Sequence, residues 1–228
     1  MLEKIIFELE EKTRNSIEDS DLKKIFYHLE KINTPTLLCG VGGSHVVSIF
    51  LEKVLREKNH IIVKNIDEDH IIPIIDKLEE AGCELQIEDR QIQIKAPKKL
   101  KSVNIKTMPY PGFPTDMQSI FATLLTTAKG SSIIVENIFE NRYKYTQELI
   151  RMGAKISVEG KTAIIKGVKK LYGANVKATD LRGGAALVMA ATTAKGITKV
   201  ENIDYILRGY ERFDKKLEKL GVKIQLKI

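Results

Sequence analysis

The hydrophobic pattern of this chain repeats. His60-Ile61-Ile62-Val63-Lys64-Asn65-Ile66, Ser132-Ile133-Ile134-Val135-Glu136-Asn137-Ile138 and Thr198-Lys199-Val200-Glu201-Asn202-Ile203 are three versions of one short apolar strand. Each follows a helix end: Glu57-Lys58-Asn59, Ala128-Lys129-Gly130 and Ala194-Lys195-Gly196. Asn59 and the two glycines stand where a left-handed C-cap belongs. Asn65, Asn137 and Asn202 mark the turn out of each strand. The pattern then predicts a second helix over 69–81, 143–152 and 210–220, closing on Gly82, Gly153 and Gly221. Alternation predicts strands over 84–87, 155–158 and 223–226, with hairpin partners over 91–95 and 162–166. Ile66, Ile138 and Ile203 lie 72 and 65 residues apart. The reading is an α+β domain over 36–228, built of three βαβαββ-like units (36–100, 101–172 and 173–228). The first unit is the least similar, and the last lacks its final strand. The period is too long for a solenoid of single helix pairs. The units are therefore expected to pack around one another, with inner helices and small outer sheets. Gly183-Gly184-Ala185-Ala186-Leu187-Val188-Met189-Ala190-Ala191 carries no charge, as an inner helix requires. Its glycines weaken a helix by ~1 kcal/mol each, and imply close helix approach or an open N-terminus.

Residues 1–35 read as a separate helical segment. Leu2, Ile5, Ile6 and Leu9 share one face, and Leu22, Ile25, Phe26 and Leu29 another. Acidic residues throughout its start argue against a signal peptide. Thr36–Cys39 reads as a strand running into Gly40-Val41-Gly42-Gly43-Ser44 and a helix over 45–58. Such a turn either caps the helix tightly or cradles an anion. Residues 38–59 resemble the first strand-loop-helix of the sugar isomerase (SIS) phosphosugar-binding domains. That resemblance implies a phosphosugar loop at Gly42, Gly43 and Ser44.

Of the 228 residues 43% are hydrophobic and 29% charged, which places the chain among globular domains. No apolar run reaches the ~20 residues that span a bilayer. The net charge of +7 favours anionic ligands. The lysines are spread along the chain with no aromatic or Cys/His nucleic-acid motif, so nucleic acid is not an expected partner. Cys39 and Cys83 have no metal-ligand spacing, which points to a reducing, cytoplasmic compartment and no metal site.

The candidate chemistry lies at helix entrances. Tyr110-Pro111-Gly112-Phe113-Pro114-Thr115-Asp116-Met117-Gln118 is a Pro- and Gly-rich turn that delivers Asp116 to an apolar helix. Taken alone, Asp116 is an N-cap that accepts from free backbone N–H groups. Asp180 stands 64 residues later, also after a threonine. Arg182, Arg142 and Arg208 sit at further helix entrances, with Glu140 and Glu211 beside the last two. An arginine in a first helical turn opposes the dipole. Either an internal carboxylate offsets it, or the arginines await an anion such as a phosphate or carboxylate.

Residues ~60–228 resemble the C-terminal part of the enolpyruvyl transferases that act on UDP-N-acetylglucosamine. The motifs are the 110–118 turn, Ile138-Phe139-Glu140-Asn141-Arg142, Ala178-Thr179-Asp180-Leu181-Arg182 and Arg208-Gly209-Tyr210-Glu211. The resemblance implies transfer of the enolpyruvyl group from phosphoenolpyruvate to the amino sugar, in peptidoglycan synthesis, without a cofactor. It implies that Asp116 acts on the attacking hydroxyl and that Ile138 contacts the nucleotide sugar. It implies that Arg208 closes on phosphoenolpyruvate, with Arg142 and Arg182 nearby. The family's other domain and its loop cysteine have no counterpart here, so a second domain or chain is expected to complete the site. Neither Cys39 nor Cys83 matches that loop. The alternatives are a non-catalytic binding module using Gly42–Ser44 and Arg208, and an interaction protein that docks through residues 1–31.

Overall fold

The computed structural model describes residues 36–38, 60–64, 66–219 and 222–227. The expected turn at 40–44, the helix over 45–58 and the segment 1–35 lie outside the described residues.

The first unit holds β1 (Thr36–Leu38), β2 (His60–Lys64), α1 (Ile72–Glu80), β3 (Glu84–Glu88) and β4 (Gln91–Lys95). The second holds β5 (Ile105–Lys106), α2 (Thr115–Leu125), β6 (Ser131–Val135), α3 (Tyr145–Arg151), β7 (Lys155–Glu159) and β8 (Thr162–Lys166). The third holds β9 (Asn175–Lys177), α4 (Leu181–Thr193), β10 (Lys199–Glu201), α5 (Asp204–Leu207) and α6 (Phe213–Lys219). The sheets run β1-β2-β4-β3, β5-β6-β8-β7 and β10-β9. In each the first pair is parallel, and in the two larger sheets the remaining pairs are antiparallel. A parallel pair needs a crossover, and α2 and α4 are those crossovers. This is the expected α+β repeat of inner helices and small outer sheets. The first unit has the same strand order as the second, although its sequence is the least similar.

The inner helices form the centre. Every residue of α2 from Met117 to Leu125 is buried, as are Gly183 to Ala190 of α4. Buried polar groups on α2 bond to α4: Ser119 Oγ donates to the Arg182 carbonyl (3.1 Å) and Thr123 Oγ1 to the Ala186 carbonyl (3.5 Å). Both contacts step forward together, so the helices run in the same direction and their N-termini share one end. Gly184 permits this packing. A Cβ there would lie 2.9 Å from the Ala178 Cβ and 2.8 Å from the Ile206 Cγ1.

Three expectations need correction. The second helix of every unit starts later than the pattern suggests, at Ile72, Tyr145 and Phe213, because short helical turns (Glu68–His70, Arg142–Lys144, Asp204–Leu207) precede them. No strand forms over 223–226. In the other sheets the corresponding strands, β3 and β7, bond only to β4 and β8, and the third unit has no equivalent of these among the described residues. The Val-Glu-Asn match is also out of step. Val135 pairs with Lys106, but Glu201 pairs with Lys177, while Val200 pairs with Val176. Thr107 N–H donates to the Val135 carbonyl and Ala178 N–H to the Glu201 carbonyl, both at 2.9 Å. Glu201 thus takes the place of Val135, because the segment from Gly196 to Glu201 is one residue shorter than that from Gly130 to Glu136.

Gly184→Ala tests the helix packing. The added methyl must displace Ala178 or Ile206, a cost of about 1–3 kcal/mol that exceeds the ~1 kcal/mol gain in helix propensity. A urea melt is expected to show a lower midpoint. An unchanged or higher midpoint would mean that α4 moves freely away from its neighbours.

Candidate functional site

The turn before α2 is held from both sides. Met108 N–H donates to the Phe113 carbonyl (3.0 Å) and Gly112 N–H to the Pro109 carbonyl (2.8 Å). A Cβ on Gly112 would sit 2.4 Å from the Met108 Cβ, so the turn requires glycine. The Tyr110–Pro111 peptide is cis. Phe113 is buried edge-on against Phe121 at 5.1 Å, which ties the turn to the helix it feeds.

Asp116 is not the N-cap. Pro114 holds that position, the helix begins at Thr115, and the Asp116 carboxylate makes no capping bond. Asp180 does cap, accepting from the Arg182 N–H (3.0 Å) and the Gly183 N–H (2.9 Å). The two Thr-Asp pairs therefore look alike in sequence and do different work. One places its carboxylate before the helix, and the other places it inside the first turn.

Freed from capping, Asp116 bridges two arginines. Arg142 Nη2 donates to Oδ1 at 2.9 Å and Arg182 Nη2 to Oδ2 at 2.5 Å. The arginine side chains are 7% and 12% exposed, whereas that of Asp116 is 46% exposed. The positive groups are embedded and the negative group faces solvent. Arg142 Nε also donates to Thr115 Oγ1 (3.3 Å), and its guanidinium lies 4.5 Å from the Phe139 ring centroid. Arg182 Nη1 donates to the Tyr210 hydroxyl (3.2 Å). Asp116, rather than the exposed Glu140, therefore balances Arg142. Burial pushes the Asp116 carboxyl up, but the hydrogen bonds and charges of Arg182 and Arg142 outweigh it, and the net shift is downward.

Behind this clamp lies Glu136, a buried carboxylate that sequence reasoning missed. Its Oε1 accepts from Thr107 Oγ1 (2.8 Å), the Ile138 N–H (2.9 Å) and the Phe139 N–H (3.0 Å). Its Oε2 accepts from Thr115 Oγ1 (2.9 Å), which in turn accepts from Arg142. One side chain thus fixes the 107 strand end, the 138–139 loop and the base of the clamp. Strand parity carried the signal. Ser132 and Ile134 are inward positions of β6, and Glu136 continues their alternation.

The structure brings Asp116, Arg142 and Arg182 together. Ile138 is 44% exposed on the loop held by Glu136. Arg208 is exposed at the C-cap of α5, its guanidinium 5.6 Å from the Tyr205 ring centroid, and it forms no ion pair among the described residues. The next residue, Gly209, packs on Leu181 at the start of α4, so Arg208 belongs to the same end without joining the clamp. Gly42, Gly43, Ser44 and Cys39 lie outside the described residues. Burial pushes the Cys83 thiol up to about 11, so it is no acid at neutral pH and no thiolate nucleophile. Among the described residues no group of His, Cys, Asp and Glu could hold a metal, and no helix is long and apolar enough to cross a membrane.

This arrangement is an ionised carboxylate at the rim of an arginine-rich helix entrance. It can accept or orient a hydroxyl proton beside groups suited to phosphate and carboxylate oxygens. The family of EPSP synthase (3-phosphoshikimate 1-carboxyvinyltransferase) matches residues 47–217. The chain belongs to the enolpyruvyl transferase family. It is 49% identical over 175 residues to UDP-N-acetylglucosamine 1-carboxyvinyltransferase of Desulfofundulus thermocisternus, covering 77% of this chain and 72% of that one. It is 50% identical over 179 residues to UDP-N-acetylglucosamine 1-carboxyvinyltransferase 2 of Carboxydothermus hydrogenoformans, covering 77% of this chain but 42% of that one. The solved enolpyruvyl transferase NikO from Streptomyces tendae superposes with a TM-score of 0.71 at 26% identity, over 79% of this chain and 43% of that one. Against these last two the chain spans less than half of the relative's length. The match from residue 47 also takes in part of the stretch that resembles SIS domains, so the family likeness begins upstream of residue 60.

Two outcomes test the site. Followed by carbon NMR, the Asp116 carboxyl is expected to titrate below the ordinary Asp value of ~3.9, and Arg182→Met to raise it. Because the folded value is depressed, the stability it contributes is complete above the ordinary value and lost as pH falls through the folded one. An unshifted Asp116 would remove the clamp. Glu136→Ala leaves two backbone N–H groups without their acceptor, at about 1–3 kcal/mol each. A thermal melt is expected to drop sharply, and a melt like that of the parent chain would show that water replaces the carboxylate at no cost.

Proposed function

We propose that this chain carries one half of an enolpyruvyl transferase site, serving transfer from phosphoenolpyruvate to UDP-N-acetylglucosamine in cytoplasmic peptidoglycan synthesis. The observation that carries the reading is the Asp116 carboxylate, clamped by Arg142 and Arg182 and open to solvent. In the reaction, the donor's methylene carbon takes up a proton as the sugar hydroxyl adds to the adjacent enol carbon, and loss of phosphate with a proton from the new methyl group then restores the double bond. Asp116 accepts or orients the hydroxyl proton. The clamp fixes where that carboxylate points and keeps it ionised at neutral pH. The exposed Ile138 offers an apolar rim to the nucleotide sugar. Arg208, exposed and outside the clamp, is the cation available to the donor's phosphate or carboxylate.

An active site of this class must exclude water and surround the developing charge. This face is open, and the chain spans 42% of a full relative. Turnover therefore requires a second domain or chain, while binding of the sugar nucleotide does not.

Titration calorimetry with UDP-N-acetylglucosamine, with and without phosphoenolpyruvate, tests the reading. Saturable binding is expected, weakened by Asp116→Ala, with no turnover by the isolated chain. Binding that survives Asp116→Asn but is lost in Ser44→Ala would instead define a phosphosugar-binding module. No heat from a folded chain would leave the family membership as ancestry without activity.

A further inference from the structure

The two arginines of the clamp are held from different segments. Arg142 reaches back to Thr115, whose hydroxyl is fixed in turn by the buried carboxylate of Glu136. Arg182 is held from the third unit. Its Nη1 donates to the Tyr210 hydroxyl (3.2 Å) while its Nη2 donates to Asp116 Oδ2 (2.5 Å). Tyr210 is well fixed for this. It is 6% exposed, its ring packs on Phe213 with centroids 5.0 Å apart, and its N–H donates to the Ile206 carbonyl (3.0 Å). Burial pushes the pKa of its hydroxyl up, so it meets Arg182 as a neutral phenol.

The place of Tyr210 in the chain is informative. Two residues before it stands Arg208, the exposed cation at the C-cap of α5. Gly209 between them lies against Leu181, where a Cβ would come within 2.8 Å of Cδ2, and Leu181 immediately precedes Arg182. One short segment therefore carries Arg208 at the surface and Tyr210 in the interior, on the guanidinium that faces Asp116.

A guanidinium has five N–H donors and pairs strongly with any phosphate or carboxylate. An anionic ligand at this end therefore competes with Asp116 for Arg182. If Arg182 turned to the ligand, Asp116 would lose one of its two clamps and with it a fixed direction. A bond to a buried neutral hydroxyl opposes that turn. The guanidinium is planar and rigid, so anchoring Nη1 also fixes where Nη2 points.

We propose that Tyr210 is a positioning residue for Asp116, acting through Arg182. It keeps Arg182 on the carboxylate and leaves the ligand's anion to Arg208. The assignment rests on the reading of Asp116 as the group that meets the sugar hydroxyl, but its first test needs no ligand.

The full chain is compared with Tyr210→Phe, which keeps the ring and removes only the hydroxyl. In carbon NMR without ligand, the Asp116 carboxyl is expected to titrate about half a unit or more higher in Tyr210→Phe than in the parent chain. In an Arg182→Met background the same substitution is expected to add no further shift. A tyrosine that only fills space would change the melting temperature and not this titration. Calorimetry with UDP-N-acetylglucosamine is expected to show binding about threefold or more weaker in Tyr210→Phe, the equivalent of that half unit. Nitrogen NMR of the parent chain needs no variant. It is expected to resolve Nη1 and Nη2 of Arg182, because a guanidinium bonded through both cannot rotate freely. An Asp116 titration unchanged by Tyr210→Phe, a shift of the same size in the Arg182→Met background, or a single averaged Arg182 signal overturns the proposal. So does an unchanged affinity where the parent chain binds. A parent chain that binds no sugar nucleotide defeats the proposed function instead, and the two NMR measurements still decide whether Tyr210 sets the carboxylate.

Discussion

The parallel packing of α2 on α4 is the constraint on which the rest of this structure depends. Two helices that run the same way bring their N-termini, with their unpaired N–H groups and positive dipole ends, to one end of the molecule. Small and hydroxylated side chains make the approach possible. Ser119 and Thr123 bond across to α4, and Gly184 leaves room for Ile206 and Ala178. Once the helices are so placed, Asp116 on one and Arg182 on the other are neighbours although 66 residues separate them in the chain. Arg142 arrives from the turn before α3 and completes the group.

The charges in this group are arranged in an unusual order of depth. Two guanidiniums near one another in the interior repel, and each loses hydration. The carboxylate between them removes both problems, and it does so from the surface side. Glu136 acts one layer deeper, fixing Thr115 and the 138–139 loop so that Arg142 has one position. A ligand approaching this end meets a carboxylate whose direction is already set.

Much of this was legible in the sequence, and for identifiable reasons. Strands β4 and β8 fall on the predicted residues because alternating apolar positions have few other readings. The repeat gave the fold class because a recurring order of strands and helices implies a recurring architecture. The role of Asp116 was not legible from the Thr-Asp pair, since capping depends on where the helix starts, and Pro114 moves that start by two residues relative to Asp180. The strand over 223–226 failed to appear because pairing is a property of the neighbour as much as of the segment. Glu136 was overlooked because the Val-Glu-Asn repeat aligned it with Glu201, which sits on the surface beside Lys177 and Lys199.

The third unit is one residue shorter before its Val-Glu-Asn, and Asn202, which follows, has a φ of +58°. A scaffold of near-equivalent units is chemically redundant by default, offering the same pocket several times over. Here one residue of length distinguishes them: the second unit keeps a glutamate inside to organise its entrance, while the third holds the same letter at the surface between Lys177 and Lys199. The structural asymmetry of the two entrances accompanies a one-residue offset within a repeat rather than any new motif.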